Sequence, residues 1–255
     1  MTTGTAFTRA VSPRLAECET SQVFEGRIYP ARAAAQHAAY EAALAEAGLA
    51  IVRLEPLDDY PDGTFVEDVA LILGEHAIVT RPGAPSRAGE ADSTARGLAG
   101  AFTIHRLATG HIDGGDVLAI GDTLYVGLSG RSDRAGIEAL AALAGPLGYR
   151  VVPVAVSGCL HLKSAATWAA PFLIHNPNWV SAESFANVEP IAVAPGEPYG
   201  ANVVTAGGRL LAAADSPRTA AALAARGFDV VSLDISEIRK ADAALTCMSL
   251  IADPA

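Results

Sequence analysis

Apolar and polar positions follow a recurring order along the chain: a short apolar run, a polar turn with glycine, a second apolar run, an amphipathic stretch, and a third apolar run. One copy reads "FVEDVALILGEHAIVTR", then "ADSTARGLAGA", then "FTIHRL". A second reads "DGGDVLAIGDTLYVGL", "SDRAGIEALAALAGPLGY" and "RVVPVAV"; a third reads "HLKSAATWAAPFLIHN", "SAESFANV" and "EPIAVA". A fourth reads "GANVVTAGGRLLAAA", "SPRTAAALAARG" and "FDVVSLD". Short apolar runs bounded by turn residues read as strands, and apolar positions at three- and four-residue spacing read as helices. Each copy therefore predicts strand, tight turn, strand, helix, strand. Gly74, Gly121 and the pair Gly207-Gly208 supply the hairpin turns. In the fourth copy Ser216 caps the predicted helix, Pro217 opens it and Gly227 follows its end; Ser132 is the matching cap in the second.

The N-terminal part fits a fifth copy with one piece missing. "TAFTRAV" reads as a strand, "PARAAAQHAAYEAALAEAGL" as a helix opened by Pro30, and "AIVRLE" as the closing strand. Its missing hairpin strand is available at the other end, in "ALTCMSLIA". Pairing of the two terminal strands closes five ββαβ units into a ring, which hides sheet edges. The expected fold is thus α/β, a five-bladed pseudo-symmetric propeller in a single domain spanning 1–255.

Equivalent places at the start of each first hairpin strand carry Glu67-Asp68, Asp113, His161, Ala201-Asn202 and Cys247, a recurrence of about 45 residues. Taken singly these residues are unremarkable. A lone cysteine in an apolar run is usually a small core residue. A lone histidine such as His161 is usually a satisfied core side chain, and Asp113-Gly-Gly-Asp116 is an ordinary turn sequence. In a ring, however, equivalent positions face a common axis. A thiol, an imidazole and carboxylates then converge at one mouth, the arrangement of an activated nucleophile. The acids Asp62, Glu67 and Asp68 in "YPDGTFVEDVALI" form either a solvated edge, a cation site or a cradle for a guanidinium, whose planar donors match carboxylate oxygens. The histidines at 37, 76, 105, 111 and 175 read as structural or surface groups.

Composition narrows the classes. The chain has 255 residues and a net charge of −10, which disfavours nucleic acid as a partner. No run approaches the roughly 18 apolar residues of a membrane span, and "MTTGTAFTRAVSPRL" lacks the apolar core of a secretory signal. Three scattered cysteines, Cys18, Cys159 and Cys247, argue against a disulfide framework and for a reducing cytoplasm. No P-loop, GxGxxG, HExxH or GxSxG occurs, so nucleotide-binding, zinc-protease and serine-hydrolase readings lose ground.

Eight segments, in order, carry a resemblance to a known family: "FTRAVSPRL", "ARAAAQHAAY", "PDGTFVEDVALI", "TRPGAPSR", "DGGDVL", "VGLSGR", "LHLKS" and "LTCMSL". They resemble the dimethylarginine dimethylaminohydrolases of the guanidino-group-modifying superfamily, whose fold is the five-bladed α/β propeller called a pentein. The resemblance implies Cys247 as nucleophile, His161 as general acid and base, and Asp113 as the carboxylate that orients His161. It implies that Asp62, Glu67 and Asp68 hold a guanidinium and that Arg87 and Arg131 grip an α-carboxylate. Leu15 and the backbone of Ala241 match positions that line the substrate. The implied reaction turns an N-ω-methylated arginine into citrulline and an alkylamine through a covalent thiouronium intermediate. No metal or other cofactor is implied, the partner is a small guanidino amino acid, and the protein is a monomer or homodimer. Two alternatives stand beside it. The same chemistry could act on arginine or another substituted guanidine, or the site could bind cationic amino acids without turnover, which requires neither Cys247 nor His161.

Overall fold

A computed structural model describes residues 4–21 and 26–252; the first three residues of the stretch read above for a secretory signal lie outside them. The chain starts with β1 (Thr5–Thr8), α1 (Pro30–Glu46) and β2 (Ala50–Arg53). The next group is β3 (Ala70–Leu73), β4 (His76–Val79), α2 (Glu90–Leu98) and β5 (Thr103–Arg106), followed by β6 (Val117–Ile120), β7 (Thr123–Leu128), α3 (Arg134–Ala144) and β8 (Arg150–Ala155). Then come α4 (Leu162–Ala165), β9 (Ala166–Ala169), β10 (Phe172–His175) and β11 (Glu189–Ala192). The last group is β12 (Val204–Ala206), β13 (Arg209–Ala213), α5 (Pro217–Ala224) and β14 (Asp229–Leu233), with α6 (Ser236–Lys240) and β15 (Leu250–Ala252) after it.

These strands make five three-stranded sheets of one topology: an antiparallel strand pair, one strand of which pairs in parallel with a third strand. The fifth sheet draws its first strand from the far end of the chain. β15 runs antiparallel to β1, with Phe7 opposite Leu250, and β1 pairs in parallel with β2. The hairpin glycines adopt positive φ, 57° at Gly74, 59° at Gly121, and 52° and 83° at Gly207 and Gly208, as tight strand-to-strand turns demand. Between the sheets lie buried apolar clusters; the largest joins Tyr40 and Leu44 of α1 to Leu211 of β13 and to Leu245, Cys247 and Met248.

Three local expectations differ from what forms. The third copy has no α-helix between β10 and β11: "SAESFANV" makes only a single 3-10 turn at Ala182–Ser184, since its polar and aromatic residues offer no continuous apolar stripe. The cap of α3 is Asp133, whose carboxylate accepts the Gly136 N–H at 2.7 Å, because the Ser132 hydroxyl is drawn inward to Asp116. Ser216 sits at the N-cap of α5 but its hydroxyl bonds Asp215 rather than the helix. Among the described residues no helix is long and apolar enough to cross a membrane.

Candidate active site

The residues singled out at the hairpin starts do not lie on strands. They occupy short helical turns just before them: Val66–Val69 with Glu67 and Asp68, Gly114–Asp116 beside Asp113, α4 with His161 at its N-cap, and Thr246–Met248 with Cys247. A compact turn before a strand lets the side chain leave the sheet and point across the molecule. Of these residues, Asp68, His161 and Cys247 line one cavity together with Asp62, Phe65, Arg87, Arg131 and Ala241, and Glu19, Leu160, Asp242 and Ala243 complete its wall.

His161 is 4 % exposed and its Nε2 lies 3.0 Å from Asp113 Oδ2. Asp113 is fully buried and fixed from two other directions: its Oδ1 accepts the Gly83 N–H at 2.7 Å, and its own N–H donates to Ser132 Oγ at 3.1 Å. The other imidazole nitrogen, Nδ1, stands 3.7 Å from Asp68 Oδ1. Gly115 makes this closeness attainable. A Cβ there would fall 2.6 Å from His161 Nδ1 and 2.8 Å from Asp68 Oδ1, closer than any carbon can sit. Burial alone would depress the basicity of His161, but the charge of Asp68, the Asp113 hydrogen bond and the charge of Asp116 outweigh it and raise the imidazolium pKa to about 9.

Cys247 is buried, and burial, reinforced by the negative charges of Asp68 and Glu67, pushes its thiol far above the ordinary cysteine range. Both shifts favour the protonated forms at neutral pH, thiol on Cys247 and imidazolium on His161. Asp68 is pulled the other way: burial opposes its charge, yet His161 and Arg87 hold its carboxyl below the usual range. Asp68 Oδ2 pairs with Arg87, while Oδ1 is buried and, among the described residues, has no hydrogen-bond partner. A buried carboxylate oxygen without a donor is an acceptor in waiting. Asp62 is raised to about 6 by burial, with Arg87 opposing.

The remaining expected residues divide. Arg131 keeps its guanidinium partly open, 15 % exposed with Nη1 3.8 Å from Asp113 Oδ2. Arg87 also lines the cavity, but Glu90, Asp68 and the Phe65 carbonyl take most of its N–H groups. The Glu67 carboxylate is not brought to this cavity. It accepts from Lys163 Nζ at 2.7 Å and Thr246 Oγ1 at 2.8 Å, and it faces two cavities beyond the Cys247 layer. Leu15 is fully buried in the turn Leu15–Glu17 and is not part of the lining. Glu19 and Asp242 belong to the wall and escaped the sequence reading, since neither stands at a repeat-equivalent position. Asp242, at φ 55°, accepts both the N–H and the hydroxyl of Ser21. Asp68, Asp113 and His161 also offer three ligand atoms within 4.8 Å of one another, and His161 and Asp113 hydrogen-bond each other there.

An α/β fold of five like sheets with a buried thiol, an imidazole–carboxylate pair and paired acidic and basic groups around one cavity defines a class of nucleophilic enzymes that act on small cationic substrates. The chain belongs to the dimethylarginine dimethylaminohydrolase family. It is 41 % identical over 251 residues to the N(G),N(G)-dimethylarginine dimethylaminohydrolase of Streptomyces coelicolor, covering 96 % of this chain and 95 % of that one. It is 34 % identical over 228 residues to the Pseudomonas aeruginosa enzyme of the same name, covering 86 % and 88 %. A crystal structure of the P. aeruginosa protein, a cysteine-to-serine mutant complexed with citrulline, superposes with a TM-score of 0.91 at 31 % identity over 99 % of this chain and 100 % of that one. The N-terminal domain of ArgZ, an arginine dihydrolase, shares the fold with a TM-score of 0.87 at 21 % identity, covering 98 % of each chain. No protein-family model matches the chain.

Proposed function

We propose that this protein hydrolyses N-ω-methylated arginine to citrulline and an alkylamine, with Cys247 as nucleophile. The observation that carries the reading is one cavity lined by Cys247, by His161 with Asp113 hydrogen-bonded behind it, by an Asp68 oxygen that has no hydrogen-bond partner among the described residues, and by the Arg131 guanidinium. Its support from relatives is the complex of the P. aeruginosa cysteine mutant with citrulline and an adduct of a histidine-to-glycine dimethylarginine dimethylaminohydrolase with S-methyl-L-thiocitrulline, TM-score 0.90.

A guanidinium carbon is a poor electrophile, so fixing it beside sulfur supplies much of the acceleration. Asp68 Oδ1 and Asp62 hold the guanidinium and the cationic end of the substrate; Arg131, helped by the remaining Arg87 N–H, receives its carboxylate. Burial and the nearby acids keep Cys247 protonated; the bound cation offsets them, and the thiol gives its proton to solvent. Thiolate sulfur forms a bond to the guanidinium carbon. The C–N bond to the substituted nitrogen then breaks as His161 passes a proton to the departing amine. Neutral His161 next takes a proton from water, the oxygen adds to the thiouronium carbon, and the C–S bond breaks with its electron pair returning to sulfur; as the ureido C=O forms, the proton left on that oxygen passes to the thiolate and restores the thiol. The five sheets are the blades of one closed ring, residues 1–255 form one domain, and the enzyme works in the cytoplasm without cofactor.

The test is a substrate panel of dimethylarginine, monomethylarginine, arginine and agmatine assayed for ureido product. Methylated arginines should lead, and Cys247→Ser should fold normally yet form no product. Turnover by that variant at the wild-type rate would remove sulfur from the mechanism.

A further inference from the structure

The second aspartate of "DGGD" is a buried side chain that the mechanism leaves without a role. Asp116 is 0 % exposed. Its Oδ1 accepts the Leu162 N–H at 2.9 Å, one residue past His161. Its Oδ2 accepts the hydroxyls of Ser129 at 2.5 Å and Ser132 at 2.7 Å. Each serine passes the connection on. Ser132 Oγ accepts the Asp113 N–H at 3.1 Å, and Ser129 Oγ accepts the N–H of Arg131 at 2.9 Å. A Cβ on Gly127 would sit 2.6 Å from Asp116 Oδ1, so glycine on β7 leaves room for the carboxylate.

We infer that Asp116 is a positioning residue that sets His161, Asp113 and Arg131 in mutual register through one carboxylate. All three of its contacts are donors and each serine hydroxyl has a single proton, already committed to it. An amide at this position would turn an N–H₂ group toward one of those donors and leave it unmatched. Burial raises the Asp116 carboxyl, while His161 and the two serines favour its charge. The same charge helps hold the proton on His161, which is also faced by Asp113 at Nε2, by Asp68 at Nδ1, by Arg131 beyond Asp113 and by Cys247 across the cavity. Two branches follow, one to the proton-transfer pair and one to the carboxylate clamp, and kinetics can separate them.

The inference rests on the proposed reaction only for its kinetic arm. In Asp116→Asn the His161 titration, read by NMR of the isotopically labelled imidazole without substrate, should move down by about one pH unit. Its kcat/KM should fall about 10- to 100-fold, as expected when oriented proton transfer is impaired rather than removed. Ser132→Ala should lower kcat with little change in KM, and Ser129→Ala should raise KM with kcat kept within about twofold. A folded Asp116→Asn protein with an unmoved His161 titration and wild-type kcat/KM overturns the inference. Should that variant not fold, the two serine variants decide: wild-type kinetics in both overturns it. A wild-type protein inert toward every methylarginine sinks the proposed function and leaves the NMR arm in force.

Discussion

At the scale of single residues the site is defined by where its protons are. Both shifts favour a proton on sulfur and one on His161, whereas the attack proposed above needs thiolate beside imidazolium. Going from one to the other costs one proton, and in the empty site the first proton to leave does so at about 9, from His161. We therefore expect kcat/KM to climb about tenfold per pH unit on the acid side and to level near pH 9, because kcat/KM reports the free enzyme. Levelling near the ordinary histidine value would show that Asp68, Asp113 and Asp116 do not act on the ring as the geometry implies. Of the residues that the repeat pattern or the resemblance singled out, Cys247, His161, Asp62, Asp68, Arg87, Arg131 and Ala241 line the cavity and Asp113 stands behind His161. Glu67 and Leu15 were expected there and lie elsewhere. A motif fixes which residues are adjacent in sequence, and one turn of backbone sends Asp68 to the cavity and Glu67 away from it.

At the scale of elements, periodicity located the strands of the described residues, but the first hairpin strands were placed too early, the last most clearly. "ALTCMSLIA" reads as one strand, yet only Leu250–Ala252 extends, and Cys247 is in the preceding turn. Burial on every side makes a turn and a strand look alike in hydropathy, so the boundary is set by packing. Tyr40 of α1 shows how: its hydroxyl bonds Ser249 Oγ at 2.7 Å, fixing the residue between the thiol turn and β15. Tyr40→Phe leaves that serine without its buried partner. Urea titration should show a loss of about 1–2 kcal/mol at unchanged slope, and a loss near zero would mean water replaces the contact. The 3-10 turn in place of the third helix has a similar origin, since "SAESFANV" is short and polar, and its Phe185 is drawn under Tyr125 with ring centroids 4.8 Å apart.

At the scale of the whole molecule, the layer behind the site is held by an ion pair. Lys163 and Glu67 come from distant parts of the chain and meet at 2.7 Å, with Asn202 and Thr246 hydrogen-bonded beside them. Burial raises the Glu67 carboxyl while Lys163 opposes that. Lys163→Met strands the charge and should cost about 3 kcal/mol at pH 8. The sign with pH follows from the raised carboxyl: the penalty should shrink as pH falls and Glu67 takes up a proton. Thermal unfolding at pH 5 and pH 8 checks this, and an equal loss at both would remove the ion pair from the account. The sequence by itself determined the five-fold repetition, the hairpin turns and the residue types that converge, because periodicity and glycine placement are local properties of the chain. Tertiary structure alone decided which carboxylate meets the cavity, that Asp68 keeps an oxygen free, and that Asp116 ties three site residues together. Those outcomes depend on the angle at which separate turns approach one another, and packing sets that angle between segments as distant in sequence as Glu67 and Thr246, 179 positions apart.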